Sequence, residues 1–188
     1  MSGKRNREED IPAGAMLMPD FDKIAEICRK PIEDTRPLEP HERIVKQAYS
    51  VKWIWAWLTM HGYKTTEYRS SPPRYRLRGR CAVHLSRHYA KSAYDEDLAS
   101  IREDDEYGAA IAAQVPPYEE LARHAGKIVG VVDFDATDGD GTEWAVSNPV
   151  WLKRFIPLVG HPSMYFLPQA VANDINRQLS EIENKKGA

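Results

Sequence analysis

Residues 49–69 read YSVKWIWAWLTMHGYKTTEYR, and residues 78–87, RGRCAVHLSR, answer them as a strand. The first stretch sets Trp53, Trp55 and Trp57 beside a turn, then leaves Lys64, Glu67 and Arg69 close together at the start of an extended segment. That end is too polar to be core alone. Residues 47–51 read as a strand and 53–61 as a short helix, closed by Gly62, a residue suited to a left-handed C-cap. Ile54, Trp57 and Leu58 share one face of that helix, while Trp53 and Trp57 share another. Two readings of the tryptophans stand. All three pack as core, or Trp53 and Trp55 turn toward a cleft, because so short a helix rarely needs aromatic surface on every side.

Beyond the turn, Thr65, Glu67 and Arg69 alternate onto one face of a strand, with Thr66 and Tyr68 on the other. Lys64 has the opposite parity, but the turn can swing its stem toward Glu67. Residues 75–86 follow as a long strand with Arg76, Arg78 and Arg80 on one side. Between Lys64 and Lys91 there are eight basic residues, Arg74 and Arg87 included, against one acid, Glu67. Tyr68, Tyr75 and Tyr89 interleave with them. The pattern predicts a basic face suited to phosphate contacts and base stacking, or else a solubilising edge strand.

Outward from this centre, residues 1–19 predict a charged, disordered tail. Asp20 caps a short helix with Phe21, Ile24, Ile27 and Cys28 on one face; Pro31 ends it, and a proline-rich connector runs to residue 46. Residues 95–106 are strongly acidic, with Leu98 and Ile101 at helical spacing, and predict a solvated helix or loop. A helix opens at Pro117, near Tyr118. KIVGVVDFD at 127–135 is the clearest core strand, with a bulge or close approach at Gly130. The turn at 137–141 pairs it with residues 144–146. Asn148-Pro149 is expected to break the run, leaving 151–155 as a helical turn or short strand. Residues 164–167 form a last strand, and 168–188 a helix striped with Val171, Ile175, Leu179 and Ile182.

At 188 residues the chain can bury one core without staples. The formal charge of −2 argues against a wholly basic binder, but not against a local patch. Cys28 and Cys81 have neither CxxC nor histidine spacing, so no disulfide framework, metal site or cofactor is implied. No apolar run has the length of a membrane span, and the charged N-terminus lacks a signal-peptide core, so a cytoplasmic protein with no membrane partner is expected.

Residues 49–69, RYRLRGRCAVHLSR (74–87), GKIVGVVDFD (126–135) and PLVGHPSMYFL (157–167) together resemble the ASCH domain, the activating signal cointegrator homology domain. The turn GYKTTEYR fits a GxKTxExR pattern, and the likeness covers about residues 47–167. It implies an α+β fold: a small PUA-like β-barrel with flanking helices, extended here by the amphipathic C-terminal helix. It also implies a cleft lined by Lys52, Trp55, Lys64, Glu67 and Arg69, with Ser86 and Arg87 at the end of the answering strand. Trp53, Arg74 and Arg76 join this candidate binding set from the residue reading. Ile54 stands where many relatives carry proline.

The partners implied are RNA first, then a nucleotide or modified nucleoside, with DNA possible; no oligomeric state is implied. Some small members are amidohydrolases acting on an acetylated cytidine, and others are ribonucleases. If this chain is an enzyme, Lys64 and Glu67 would be catalytic. In those amidohydrolases the turn carries Lys and Thr, with a Glu from a later segment. Here Glu67 takes the Thr position, and the later acid falls to Glu119 or Glu120. His84 and His88 are a weaker ribonuclease pair. A third reading makes the acidic segment and the C-terminal stripe a protein-interaction surface.

Overall fold

The structure, a computed structural model, describes residues 38–69, 78–104, 108–138 and 142–186. The expected tail, the N-terminal helix, most of the connector, and Arg74, Tyr75 and Arg76 lie outside those residues.

The fold is mixed α+β, a six-stranded sheet curled into a half-barrel and packed with helices. In chain order the elements are β1 (Gln47–Val51), α1 (Trp53–Met60), β2 (Thr66–Tyr68), β3 (Gly79–Leu85), α2 (Lys91–Asp104) and α3 (Gly108–Ala112). Then come α4 (Tyr118–Ala122), β4 (Lys127–Asp138), β5 (Glu143–Pro157), β6 (Met164–Phe166) and α5 (Gln169–Lys186). The strand order is β2-β5-β4-β3-β1-β6, so β2 and β6 are the edges. β1 and β3 run parallel with Ser50 opposite His84, while the other pairs are antiparallel. A parallel pair cannot be joined by a tight hairpin. Here α1, the turn after it and β2 lie within the crossover, and that excursion carries Lys64, Glu67 and Arg69.

Strand alternation splits the core into two apolar layers. Tyr49, Val51, Val83, Val132 and Phe134 face α1, whereas Ala48, Ala82, Val131 and Leu152 face α5. Gly130 permits the first layer to close: a methyl group on it would lie 2.3 Å from Met60 Cε and 2.7 Å from the Val150 carbonyl. The close approach expected at this glycine is therefore real, and it coincides with a register shift between Ile128 and Gly130.

Two local expectations need correction. Asn148-Pro149 does not end a strand: β5 runs through it. Ser147 pairs with Asp133 and Val150 with Val131, so two residues oppose Val132 alone. This bulge, with Asn148 at φ 49°, accommodates a proline that cannot donate to a regular ladder. Of the two readings of 151–155, a helical turn or a short strand, the strand is the one formed, as part of β5. The acidic segment is not simply solvated, since α2 buries Tyr94 and Ile101 and half-buries Leu98.

The C-terminal stripe is covered. Ile175 and Leu179 join Ala172, Ile128, Leu152 and Ile156 in the second layer. Gln178 also exchanges hydrogen bonds with the backbone of Arg154 on β5, at 3.0 and 3.2 Å. An interaction surface built on an open stripe is therefore inconsistent with this packing. Ile175→Ala is expected to lower the unfolding free energy by about 2–5 kcal/mol, whereas Arg177→Ala on the exposed side of α5 changes it by at most about 0.5 kcal/mol, as read from urea midpoints.

Candidate functional site

The geometry of the site begins where β1 becomes α1. Lys52 keeps an extended backbone and the helix starts at the next residue. After Met60 the chain reverses through Gly62 at φ 77°, and the amides of Tyr63 and Lys64 both donate to the Leu58 carbonyl, at 2.9 and 3.2 Å. Glycine takes this left-handed conformation without the backbone strain a Cβ would bring, and the paired amides fix the direction in which the chain leaves. β2 then pairs with β5, placing Glu67 opposite Trp144. Alternation turns Glu67 inward, 5% exposed, and Tyr68 outward, 64% exposed.

Glu67 is the centre of a three-charge cluster. Its Oε2 lies 2.8 Å from Lys64 Nζ and its Oε1 lies 2.9 Å from Arg69 Nη2. Lys64 Nζ also donates to the Thr66 carbonyl, and Arg69 Nη2 donates to the Ser50 carbonyl at 3.2 Å. The Arg69 guanidinium lies 5.5 Å from the Tyr49 ring centroid and 5.4 Å from that of Trp144. A guanidinium gains from such faces because it is planar and weakly hydrated. Its Nε is buried without a hydrogen-bond partner among the described residues. Lysine is more strongly hydrated, and burial pulls the Lys64 ammonium below its ordinary value; Glu67 opposes that shift and Arg69 adds to it.

These side chains line a cavity of about 690 Å3 between the end of β1 and the α2–α3 pair. Trp55, Tyr63 and Tyr68 supply aromatic surface, while Ser50, Lys52 and Ser86 supply polar groups. Two contacts tie the opposite wall in place: Lys52 Nζ meets Asp97 Oδ2 at 3.0 Å, and the Tyr63 hydroxyl donates to Gln114 Oε1 at 3.1 Å. The wall contributes Ser100, Ile101, Asp104, Gly108 and Ile111. The sequence reading did not place these residues in the cleft. The spacing of Leu98 and Ile101 shows that the acidic helix has an apolar side, but not what it covers.

Among the expected binding residues, the structure brings together Lys52, Trp55, Lys64, Glu67, Arg69 and Ser86. Trp53 lies behind the cavity rather than in it: it is 3% exposed, donates its indole N–H to the Ser86 carbonyl and packs on Tyr89 and Tyr118. Arg87 is exposed and does not line the cavity. The other strand arginines are committed elsewhere. Arg80 Nε binds Asp133 Oδ1 at 2.8 Å across the β3–β4 register, and Arg78 Nε lies 3.4 Å from Glu42 Oε1. Lys91 pairs with Asp95, and the Tyr89 hydroxyl donates to Asp97. Among the described residues of 64–91, Arg78 and Arg80 are thus matched by carboxylates distant in sequence and Lys91 by one four residues on, while Arg87 is exposed.

His84 is 1% exposed, with Nδ1 3.0 Å from Ser50 Oγ and Nε2 3.1 Å from the Leu158 carbonyl, while His88 is exposed. Only one of the two is therefore buried in the sheet, and neither lines the cavity. Glu119 and Glu120 are exposed on α4 and also lie outside the cavity lining. Among the described residues no group of three or more His, Cys, Asp or Glu could hold a metal ion. No described helix is long and apolar enough to cross a membrane.

Fold and site together define a class in structural terms: an α+β half-barrel with a recessed, aromatic-walled cavity around a carboxylate shared by two cations. The chain matches no protein-family model and no curated protein.

Glu67→Ala leaves Lys64 and Arg69 without their shared counter-charge and is expected to destabilise the fold by about 3–5 kcal/mol in chemical denaturation. The lowered Lys64 pKa also sets a sign. Between that value and the ordinary 10.5 the unfolded chain holds more protons at this site than the folded one, so stability gains as pH rises through the window. Lys64→Met is expected to remove this alkaline gain when denaturation midpoints are compared across pH.

Proposed function

We propose that this chain is an ASCH-like, PUA-like protein whose cavity accepts one nucleoside, most naturally from RNA. One observation carries the reading: the Glu67 carboxylate is held between Lys64 and Arg69 on the wall of a cavity of about 690 Å3 that also presents Trp55, Tyr63 and Tyr68. Small-molecule sites span roughly 300–1,000 Å3 and combine apolar walls with a few fixed polar groups. A carboxylate oriented by two cations is a ready acceptor for the exocyclic amine of a base, and the indole and phenol rings offer stacking surface.

The cavity's charge refines the ligand. Lys52, Lys64 and Arg69 face Glu67 and Asp104, and Lys52 is already paired with Asp97. So nearly balanced a site favours a base and its sugar over a polyphosphate. A modified nucleoside, a nucleotide and DNA remain within the same chemistry, with RNA preferred through the resemblance.

In calorimetric titrations, cytidine is expected to bind more tightly than uridine, and Glu67→Gln to erase about tenfold of that preference, the scale of a hydrogen bond to a charged acceptor. Trp55→Ala is expected to weaken both nucleosides by about tenfold, through lost stacking. A wild-type protein that binds none of the common nucleosides, or a Glu67→Gln protein with an unchanged preference, overturns the reading.

The half-buried Lys64 supports a second reading, a hydrolase of a modified nucleoside. A lysine with a lowered pKa beside a carboxylate is suited to general-base work. Release of acetate from acetylated cytidine by the wild type, abolished in Lys64→Ala with nucleoside binding retained, identifies this activity. Full turnover by Lys64→Ala rules out Lys64 as its base.

A further inference from the structure

Aromatic surface continues from the cavity mouth onto the outside of the molecule. Tyr63, which lines the cavity and is 44% exposed, lies nearly parallel to His61, with an interplanar angle of 14° and ring centroids 6.4 Å apart. His61 rests on Trp57 at 4.1 Å and meets the edge of Trp151 at 5.4 Å. Trp151, 38% exposed, stacks with Phe155 at 6.0 Å, and Phe155 meets His124 edge-on at 5.0 Å. The α1 C-terminus, its following turn, β5 and the segment after α4 thus contribute rings to one ribbon. Tyr63, His61 and Trp151 are the exposed members of this run, with Trp57, Phe155 and His124 half-buried beneath them, and contiguous exposed aromatic surface of this kind marks an interaction site.

The far end of the ribbon is cationic. Arg123 is exposed and Lys127 donates to its carbonyl at 2.8 Å. Both act electrostatically on His124, opposed by Glu120. Among the described residues neither Arg123 nor Lys127 has an ion-pair partner, whereas Arg78, Arg80 and Lys91 all do. The polar interruptions count against a protein partner. This run lacks the aliphatic side chains of an apolar docking patch: it consists of imidazole, phenol, indole and phenyl rings and ends in two cations. Single-stranded nucleic acid requires that composition: π-faces for successive bases and positive charge for the backbone.

We propose that this ribbon is a second binding site, on which the bases flanking the pocketed nucleoside stack across Tyr63 and Trp151 while Arg123 and Lys127 meet the phosphate backbone. It rests on the pocket reading and deepens it, by making the ligand a single-stranded polynucleotide rather than a lone nucleoside.

The test compares three probes on the full chain: cytidine 5′-monophosphate, a mixed-sequence RNA of about eight nucleotides, within the range such sites cover, and the same RNA annealed to its complement. The wild type is expected to bind the single strand at least about tenfold more tightly than the monophosphate, and Trp151→Ala to remove about tenfold of that while changing monophosphate affinity less than about twofold. Arg123→Ala is expected to reduce the slope of log affinity against log salt by about one. The proposal is overturned if Trp151→Ala binds the RNA as the wild type does, if the duplex binds as tightly as the single strand, or if the wild type binds no RNA. Monophosphate that fails to bind, with RNA binding that still depends on Trp151, removes the pocket reading and leaves the ribbon standing.

Discussion

The shared carboxylate of Glu67 is the interaction on which the site depends. Three charged groups are withdrawn from water beside one another, which is costly unless each is matched. Glu67 offers one oxygen to Lys64 and the other to Arg69, and Arg69 is further received by the faces of Tyr49 and Trp144. Tyr49 and Trp144 belong to the first apolar layer, so the cluster is seated directly on the core. Lys64 carries the residual strain, because an ammonium loses more hydration than one carboxylate returns, and its proton is held less firmly than usual.

This cluster exists because of the parallel β1–β3 pair. Joining parallel neighbours takes a long connection, and the chain uses it to lay α1 over the sheet, reverse at Gly62 and add β2 at the far edge. The cavity forms where that excursion returns to the end of β1, and α2 with α3 closes the other side. Asp97 links the two halves, since it receives both Lys52 and the Tyr89 hydroxyl. The acidic helix therefore does electrostatic work in the fold that its composition alone would assign to solvent.

The fate of the basic residues shows how charge in a sequence is redistributed by folding. Read in order, 64–91 looks like a cationic surface with one acid. In space, Asp133, Glu183 and Glu42 arrive from elsewhere to meet Arg80 and Arg78, and Asp95 and Asp97 meet Lys91 and Lys52. Arg123 and Lys127, which have no ion-pair partner among the described residues, sit in a stretch the sequence offered only as a helix end and the start of a core strand. Net charge along a window is thus a poor guide to field at a surface, because counter-charges need only be near in space.

Much of the fold follows from local pattern alone. Alternation in 66–68, β-branched residues in 127–135 and a turn glycine at 62 specify their elements because each rests on backbone sterics and on which side of a strand or helix is apolar. The shared face of Glu67 and Arg69 belongs to the same class, since strand parity gives it and the short span from Gly62 lets Lys64 reach them, whereas pairing with β5 decides that this face turns inward. What only the tertiary structure decides depends on partners far away in the chain. The burial of Trp53 beneath Tyr89 and Tyr118, the passage of β5 through Asn148-Pro149, the cavity wall from α2 and α3, and the ring ribbon from Tyr63 to His124 all arise from packing between separate elements. Neither periodicity nor propensity encodes which face of one element meets another; sheet order and the volume to be filled do that.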